Sequence, residues 1–407
     1  MLWKLAYLNL WRNRRRTLLA GLSIMFGVMV IVGAGNFING MKRQWAKSEI
    51  NSNTGALQVE HRDYQARNKL APLDVTVEHG SEWVDQIRQV PGVRSAFGKL
   101  KFTGLVSGGH TSTFFDGVAV DVPRQRETLF QQEDLIVAGK PLEGKPGGVV
   151  LGADLADMLG IKIGEPVMIV VRTYQGGMNL TYGTLVGTKN GRHFPSSTYL
   201  EVPLGDAQKL LRVGDRASQV VVGATDFDEI PALSLRIERL VKSGNAPFSV
   251  RDYPELIPNY SRGIPTFKAI SLVVGLVLFL LVGSGVGNVM AMAVLERKRE
   301  IGTLLALGME KAQVRRLYLA EGFLVGLLGS LAGLLLALAL SHLVASLGGL
   351  HLPPPPGTSQ DISIIPHLDP LMACLGVVVP LIVSVFASWW PASTSANLSP
   401  AEAIREA

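Results

Sequence analysis

Followed along the chain, apolar and polar positions fall into four long, nearly uncharged runs separated by polar stretches. The runs cover residues 17–38, 266–295 (with Lys268 at its outer edge), 317–347 and 368–390. About 20 apolar residues in a helix cross a hydrocarbon core of about 30 Å, so each run predicts a membrane span. The longest polar stretch, residues 39–265, separates the first span from the other three and reads as soluble.

The second and third runs are joined by a segment with a pattern of its own. Val286, Val289, Met290, Ala293 and Leu295 carry an apolar helix into the charged cluster Glu296, Arg297, Lys298, Arg299 and Glu300. Ile301, Leu304, Leu305, Leu307 and Met309 then follow at spacings that fit one face of a short amphipathic helix, interrupted by Gly302 and Gly308. Lys311, Arg315 and Arg316 precede the third span. The pattern predicts a helical hairpin whose connecting helix has an apolar face that so small a loop cannot shield. That face needs a partner, or else lies on the membrane surface.

Within 39–265 the period changes to that of short strands and helices. Residues 41–51 extend the first span as a stalk, and 56–60 alternate as a strand after Gly55. Residues 81–90 predict a helix with Ser81 as its N-cap and Trp83, Val84, Ile87 and Val90 on one face, ended by Pro91 and Gly92. Strands follow at 98–107 and 112–120 around the Gly108, Gly109 turn, and at 148–151, 167–171, 180–188 and 220–222. Helices are predicted at 153–159 with Gly160 as C-cap, at 203–211, and at 230–242 before Gly244. Intermixed strands and helices without strict alternation indicate an α+β domain of two subdomains. Pro254, Pro258 and Pro265 suit a linker back to the membrane, and Pro353 to Pro356 a stiff, extended loop.

Charge orients this layout. The net charge of +6 could point to nucleic acid, but the basic residues that stand out cluster at span ends. Lys4, Arg12, Arg14, Arg15 and Arg16 precede the first span, six Lys or Arg lie between Arg297 and Arg316, and none lies between Gly348 and His367. The positive-inside rule puts both termini and the 296–316 loop in the cytoplasm and residues 39–265 outside it. The order is a cytoplasmic interfacial helix (1–16), the first span (17–38), an extracytoplasmic domain with stalk (39–265), the second span (266–295) and a cytoplasmic loop (296–316). The third span (317–347), an external Pro-rich loop (348–367), the fourth span (368–390) and a cytoplasmic tail (391–407) follow. The first span is longer than the apolar core of a typical signal peptide and reads as an anchor. Residues 2–11, rich in aromatic and basic side chains, suit a helix along the inner leaflet, or simply the cytoplasmic end of that span. The fold class is an α-helical membrane protein with four transmembrane helices plus a large α+β extracytoplasmic domain of two subdomains.

Several chemistries lack their residues. No phosphate-binding loop occurs, since Gly139-Lys140 and Gly144-Lys145 are each followed by Pro. There is no zinc-protease helix motif and no nucleophile elbow, and His110 and His193 read as surface or turn residues. The single Cys374, inside the fourth span, reads as a small packing residue. Glu321 in the third span reads as an inter-helix anchor or an ion pair near the cytoplasmic edge, because no second intramembrane acid exists to relay a proton. Gly283 and Gly287, and Gly322, Gly326, Gly329 and Gly333, repeat at about four residues. They let helices approach closely, either within one subunit or between two.

The run Glu296-Arg-Lys-Arg-Glu-Ile-Gly-Thr-Leu-Leu-Ala-Leu-Gly-Met309, with 315–322, resembles the cytoplasmic hairpin of the MacB/FtsX permease family, the membrane subunits of type VII ABC transporters. Trp11-Arg-Asn-Arg-Arg-Arg-Thr-Leu18 and Ser399-Pro-Ala-Glu-Ala-Ile404 resemble the entry and exit sequences of that family. Val150-Leu-Gly-Ala-Asp-Leu-Ala156 and Leu159-Gly-Ile-Lys-Ile-Gly164 are similar to its ectodomain. The resemblance implies that 301–309 form a coupling helix docked on a separate ABC ATPase, flanked by Glu296, Arg297, Arg299 and Glu300. It implies two permease chains, identical or not, with two ATPases that carry the ATP and Mg, and no cofactor on this chain, which is not itself an enzyme. It further implies mechanotransmission, in which ATP binding moves the ectodomains, and a bacterial inner-membrane location. The layout resembles lipoprotein-releasing permeases, which act on a lipoprotein, lipid or other amphiphile beside membrane lipid and an external adaptor or carrier, with no nucleic acid. A signalling module that activates an external hydrolase and a small-molecule efflux permease remain as alternatives.

Overall fold

The computed structural model describes residues 2–12, 14–68, 71–130, 135–190, 196–257, 260–296, 301, 303, 305, 308–352 and 362–396. The chain divides into two units, residues 45–261 and residues 1–44 with 262–355 and 359–407.

In the first unit the strands are β1 (Leu57–His61), β2 (Val77–Glu78), β3 (Val93–Ser107), β4 (Ser112–Val120), β5 (Ile136–Gly139), β6 (Gly148–Gly152), β7 (Pro166–Arg172), β8 (Met178–Lys189), β9 (Tyr199–Pro203), β10 (Arg216–Ala217), β11 (Gln219–Ala224) and β12 (Phe248–Asp252). β2 pairs with β10. The others form one sheet in the order β12-β1-β11-β3-β4-β9-β6-β8-β5, with β7 joined to β3 and β8. The long β3 serves two partners, since residues 93–99 pair with β11 and residues 104–107 with β7. The path β3-β4-β9-β6-β8-β7 therefore returns to β3 and encloses a six-stranded barrel.

The alternation of the strands decides what fills the barrel. Leu100, Phe102 and Val106 of β3, Phe115 and Ala119 of β4, and Val167, Ile169 and Val171 of β7 join one apolar cluster with Leu151, Leu185 and Leu200. Helices Ala153–Leu159 and Leu204–Leu211 add Leu155, Leu159, Ala207 and Leu210 to it. Phe102 and Phe115 meet edge to face at 5.5 Å, and a Cβ at Gly117 would stand 2.7 Å from both rings, so that position admits only glycine. On the open part of the sheet, Leu57, Val59, Val220, Val222 and Ala96 pack against Val84 and Ile87 of helix Gly80–Arg88 and Leu233, Ile237 and Val241 of helix Ile230–Ser243. Each such side chain contributes about 1.5–3 kcal/mol by leaving water.

The opposite face of the sheet is mixed: Phe97, Val120, Val150 and Val221 pack there against Val122, Leu129 and Leu142, with polar groups beside them. Lys189 and Glu201 form a buried ion pair there, and Glu201 also accepts from Tyr199 Oη at 2.9 Å and Gln125 Nε2 at 3.2 Å. Gln125 comes from helix Val122–Thr128, which covers this part of the barrel wall. Farther along the barrel Phe114, Leu105 and Leu180 are exposed, with half-buried Val170 between Leu105 and Leu180 as their cross-strand neighbour.

Three sequence expectations change in this unit. Ser81 does not cap its helix, which starts at Gly80 after His79 in the left-handed region (φ 52°). Ser81 instead donates its N–H and its hydroxyl to the carboxylate of Asp215, 134 positions away, so the first turn is satisfied by a tertiary contact. Helix Val122–Thr128 and strands β5, β9 and β12 go beyond the pattern read from sequence. The proline linker is largely helical: Pro254 lies in helix Tyr253–Leu256 and Pro265 near the start of helix Tyr260–Glu296, where the missing N–H affects only the first turns. Pro258 and Pro353 to Pro356 lie outside the described residues.

The second unit holds the apolar helices. A short helix, Leu2–Arg12, precedes the long helix Arg14–Glu49, and helices Tyr260–Glu296, Lys311–Ser346 and Pro370–Ala396 follow. Four of these are long and apolar enough to cross a membrane. The third-span glycines are used within the chain: a Cβ at Gly322 or Gly326 would collide with Ser388 or Ser384, and one at Gly333 would stand 2.5 Å from the Met25 carbonyl and 2.7 Å from Val28. Gly329 faces Ile24 and the Gly21 carbonyl, while Gly283 and Gly287 face Val383 and Ala387. Between the two uses left open by the sequence, these contacts are of the intrasubunit kind. Cys374 is exposed, not packed, because the buried face of its helix runs through Gly376, Pro380, Val383, Ser384 and Ser388. The second span is the least covered, with Leu272, Leu280 and Leu281 exposed and Val286 buried.

Candidate functional site

The site singled out by the sequence is the connection between the second and third spans. Helix Tyr260–Glu296 ends at Glu296, and Gly308 (φ 94°) donates its N–H to the Leu305 carbonyl at 3.1 Å, closing the short connecting helix. Lys311–Ser346 then starts with a capping box. The Glu310 side chain accepts from the Gln313 backbone, and the Glu310 N–H donates to Gln313 Oε1 at 3.2 Å.

Ile301 is 2 % exposed and clusters with Val314, Tyr318 and Ala392, against which Leu305 and Met309 also pack. The expectation that the loop cannot shield its own apolar face is thus corrected for Ile301, Leu305 and Met309. Their spacing of four puts them on one helical stripe, and that stripe turns to the starts of the third and ends of the fourth helices. Arg297, Arg299, Glu300, Leu304 and Leu307 lie outside the described residues.

Polar contacts tie the helices at both ends. At the end nearest this loop, Asn9 Nδ2 of helix Leu2–Arg12 donates to Glu321 Oε1 at 2.5 Å, Ala6 packs on Leu317 and Ala320, and Trp3 meets Phe323 edge to face at 5.7 Å. Glu321 is therefore an inter-helix anchor. Tyr7, Leu8 and Trp11, and the outer part of Trp3, stay exposed, which suits an interfacial helix. At the opposite end Asn36, 1 % exposed, donates to Ser341 Oγ at 3.1 Å, and its Oδ1 accepts from the Asp369 N–H at 3.1 Å. Its backbone carbonyl accepts from the His367 N–H at 3.0 Å, so one residue of the first span joins the third helix and the approach to the fourth.

Family models match nearly all of this layout: the MacB-like periplasmic core domain over residues 17–240 and the FtsX-like permease C-terminal domain over residues 272–400. The chain belongs to the MacB/FtsX-like permease family. The permease is 25 % identical over 417 residues to the lipoprotein-releasing system transmembrane protein LolC of Xylella fastidiosa (strain 9a5c), covering 94 % of this chain and 92 % of that one. It is 22 % identical over 408 residues to the corresponding LolE of Haemophilus influenzae, covering 95 % and 93 %. The pyoverdine export ATP-binding/permease protein PvdT of Pseudomonas entomophila is 27 % identical over 420 residues, covering 98 % of this chain and 58 % of that one. The permease is accordingly a type VII ABC transporter membrane protein of the inner-membrane kind.

Sequence reasoning missed Asn9 and Asn36, whose partners are 312 and 305 positions away. The one available signal is a polar residue within apolar surroundings, which does not name its partner.

Proposed function

We propose that the permease is moved by a separate ABC ATPase and uses that motion to release or transfer a lipidated or otherwise amphiphilic substrate at the outer face of the inner membrane. Both termini and the 296–316 loop lie in the cytoplasm on this reading. Residues 39–265 form the moving extracytoplasmic domain, with the barrel and the open sheet as its subdomains, and a second permease chain completes the assembly. ATP and Mg are held by the ATPase, which grips the connecting helix.

The observation that carries the reading is the match over more than 90 % of both chains to two proteins of lipoprotein-releasing systems. Reconstitution with the partner ATPase and a fluorescent lipoprotein in liposomes tests it. ATP addition should move lipoprotein from the bilayer to a soluble acceptor. Release equal to that of a no-ATP control would overturn the proposal. The similarity to PvdT favours one second reading, export of a small molecule. That reading gains if ATP drives uptake of a soluble siderophore-like probe into inverted vesicles and leaves lipoprotein in place.

A further inference from the structure

The mixed face of the extracytoplasmic sheet borders an open cavity of about 690 Å³. Small-molecule sites typically measure about 300–1,000 Å³ and combine an apolar lining with a few placed polar groups. The cavity has both. Lys99 and Lys101 point the same way from β3, two residues apart. Lys99 is the cross-strand neighbour of Gln219 on β11, which in turn is opposite Glu60 on β1. Val118, Leu135 and Leu256 are the half-buried apolar lining.

Hydrogen bonds and ion pairs around the cavity leave these lysines over. Arg251 pairs with Glu255 at 3.1 Å and Glu60 at 3.5 Å, and Thr198 donates to Asp116 at 2.9 Å. Lys189, Tyr199 and Gln125 satisfy Glu201, and Asn53 donates to Glu49 at 3.0 Å. Each of these carboxylates has a partner other than the two lysines, although Glu60 Oε1 accepts no hydrogen bond from the described residues and has only the ion-pair contact with Arg251. Among the described residues, neither the Lys99 nor the Lys101 ammonium has a hydrogen-bond or ion-pair partner. Gln219, 2 % exposed, has an unpartnered Oε1 beside them. A buried acceptor without a donor costs about 1–3 kcal/mol.

We propose that this cavity binds an anionic amphiphile whose head carries both acidic oxygens for Lys99 and Lys101 and a hydroxyl for Gln219 Oε1, with its apolar body against Val118, Leu135 and Leu256. Burial, then repulsion from Lys101, draws Lys99 down to about 7, with Lys189 lowering it and Glu201 and Glu49 acting in the other direction. Bound acid oxygens favour the charged lysine, so affinity falls as pH rises through 7. The site stands on the cavity alone and needs no ATPase.

The test is titration calorimetry on the full chain in neutral detergent, with dihexanoylphosphatidylglycerol as probe, the matched phosphatidylcholine as neutral control, and inorganic phosphate as the head without a body. The anionic lipid should bind at about pH 6 and about tenfold more weakly at about pH 8.5. Lys99→Met with Lys101→Met should lose about tenfold or more, while Lys99→Arg should keep binding and flatten its pH dependence. A Lys99→Met, Lys101→Met chain that melts as the parent does and binds equally well would overturn the proposal. So would equal binding of the neutral lipid, which would reduce the signal to micelle partitioning. Phosphate binding as tightly as the lipid would overturn the amphiphile and leave a phosphate site. Failure of the release assay touches none of these outcomes.

Discussion

Lys189 and Glu201 show what a single residue pair carries. Both are nearly inaccessible, at 3 % and 1 % exposure. Burial alone would push the Glu201 carboxyl up, but the Lys189 ammonium and the hydrogen bonds from Lys189, Tyr199 and Gln125 outweigh it and hold the carboxyl below its ordinary value. Removing one partner of such a pair leaves an uncompensated buried charge, at a cost of about 3–5 kcal/mol. Lys189→Met should therefore destabilise the domain by that amount, read as a lowered midpoint in thermal unfolding of the full chain. Lys189→Met with Glu201→Leu should be milder than the single change, and the reverse order would contradict the account. The depressed carboxyl sets the pH sign. Its stabilisation is present above the unfolded value of 4.5 and is lost as pH falls through the lower folded value. Little of this was legible in the sequence. Strand alternation turns Glu201, between Leu200 and Val202, away from the barrel interior. From Leu185 it would turn Lys189 inward, and only the bulge in β8 before Gly187 reverses it. The side they share reads as solvent until helix Val122–Thr128 is known to cover it.

At the scale of elements, legibility followed period and length. β3, β4, β7 and β8, and helices Ala153–Leu159 and Ile230–Ser243, have enough regular positions for a pattern to emerge. β9 shows no alternation: Tyr-Leu-Glu-Val-Pro is buried along its whole length because a barrel wall and a covering helix enclose both faces. The connecting helix was legible as amphipathic, yet its partner was not, since only the fold shows Ile301, Leu305 and Met309 packed on Val314, Tyr318 and Ala392. This divides the apolar positions into two roles with different phenotypes. Ile301→Asp should lower the stability of the permease itself by about 2–5 kcal/mol, as charge replaces a buried aliphatic group. On the proposed reading, Leu304→Asp should leave that stability unchanged and weaken capture of the partner ATPase by about tenfold or more, the loss of one leucine contact of about 1.5–3 kcal/mol. Pull-down with purified ATPase beside thermal melts separates them, and undiminished capture by Leu304→Asp would remove the coupling role from that residue.

For the whole molecule, hydropathy disclosed the four long apolar helices and the polar domain between the first two, because bilayer thickness imposes a length that a single sequence can display. The barrel closure and the helix clasps were hidden, since the first pairs β3 with β7, Gly104 opposite Val171, and the second joins residues 312 and 305 positions apart, and no local period encodes either. Those clasps matter if the permease passes motion from one side of the membrane to the other. Asn9 with Glu321 joins the helices beside the connecting loop, and Asn36 joins the first span to the third helix and to the backbone before the fourth at the opposite end. Helices fastened at both ends can move together, whereas fastening at one end lets the far ends move independently. Asn36→Leu removes the bonds to Ser341 and the Asp369 N–H while keeping the backbone bond to His367, a loss of about 1–3 kcal/mol. In the reconstituted system this variant should still capture the ATPase and hydrolyse ATP, because nothing near the connecting helix changes. Lipoprotein released per ATP should fall by about fivefold or more, as expected when that free energy no longer couples the two ends. Unchanged release per ATP would show that the outer clasp holds the fold without carrying motion, and loss of hydrolysis together with release would place its effect on assembly.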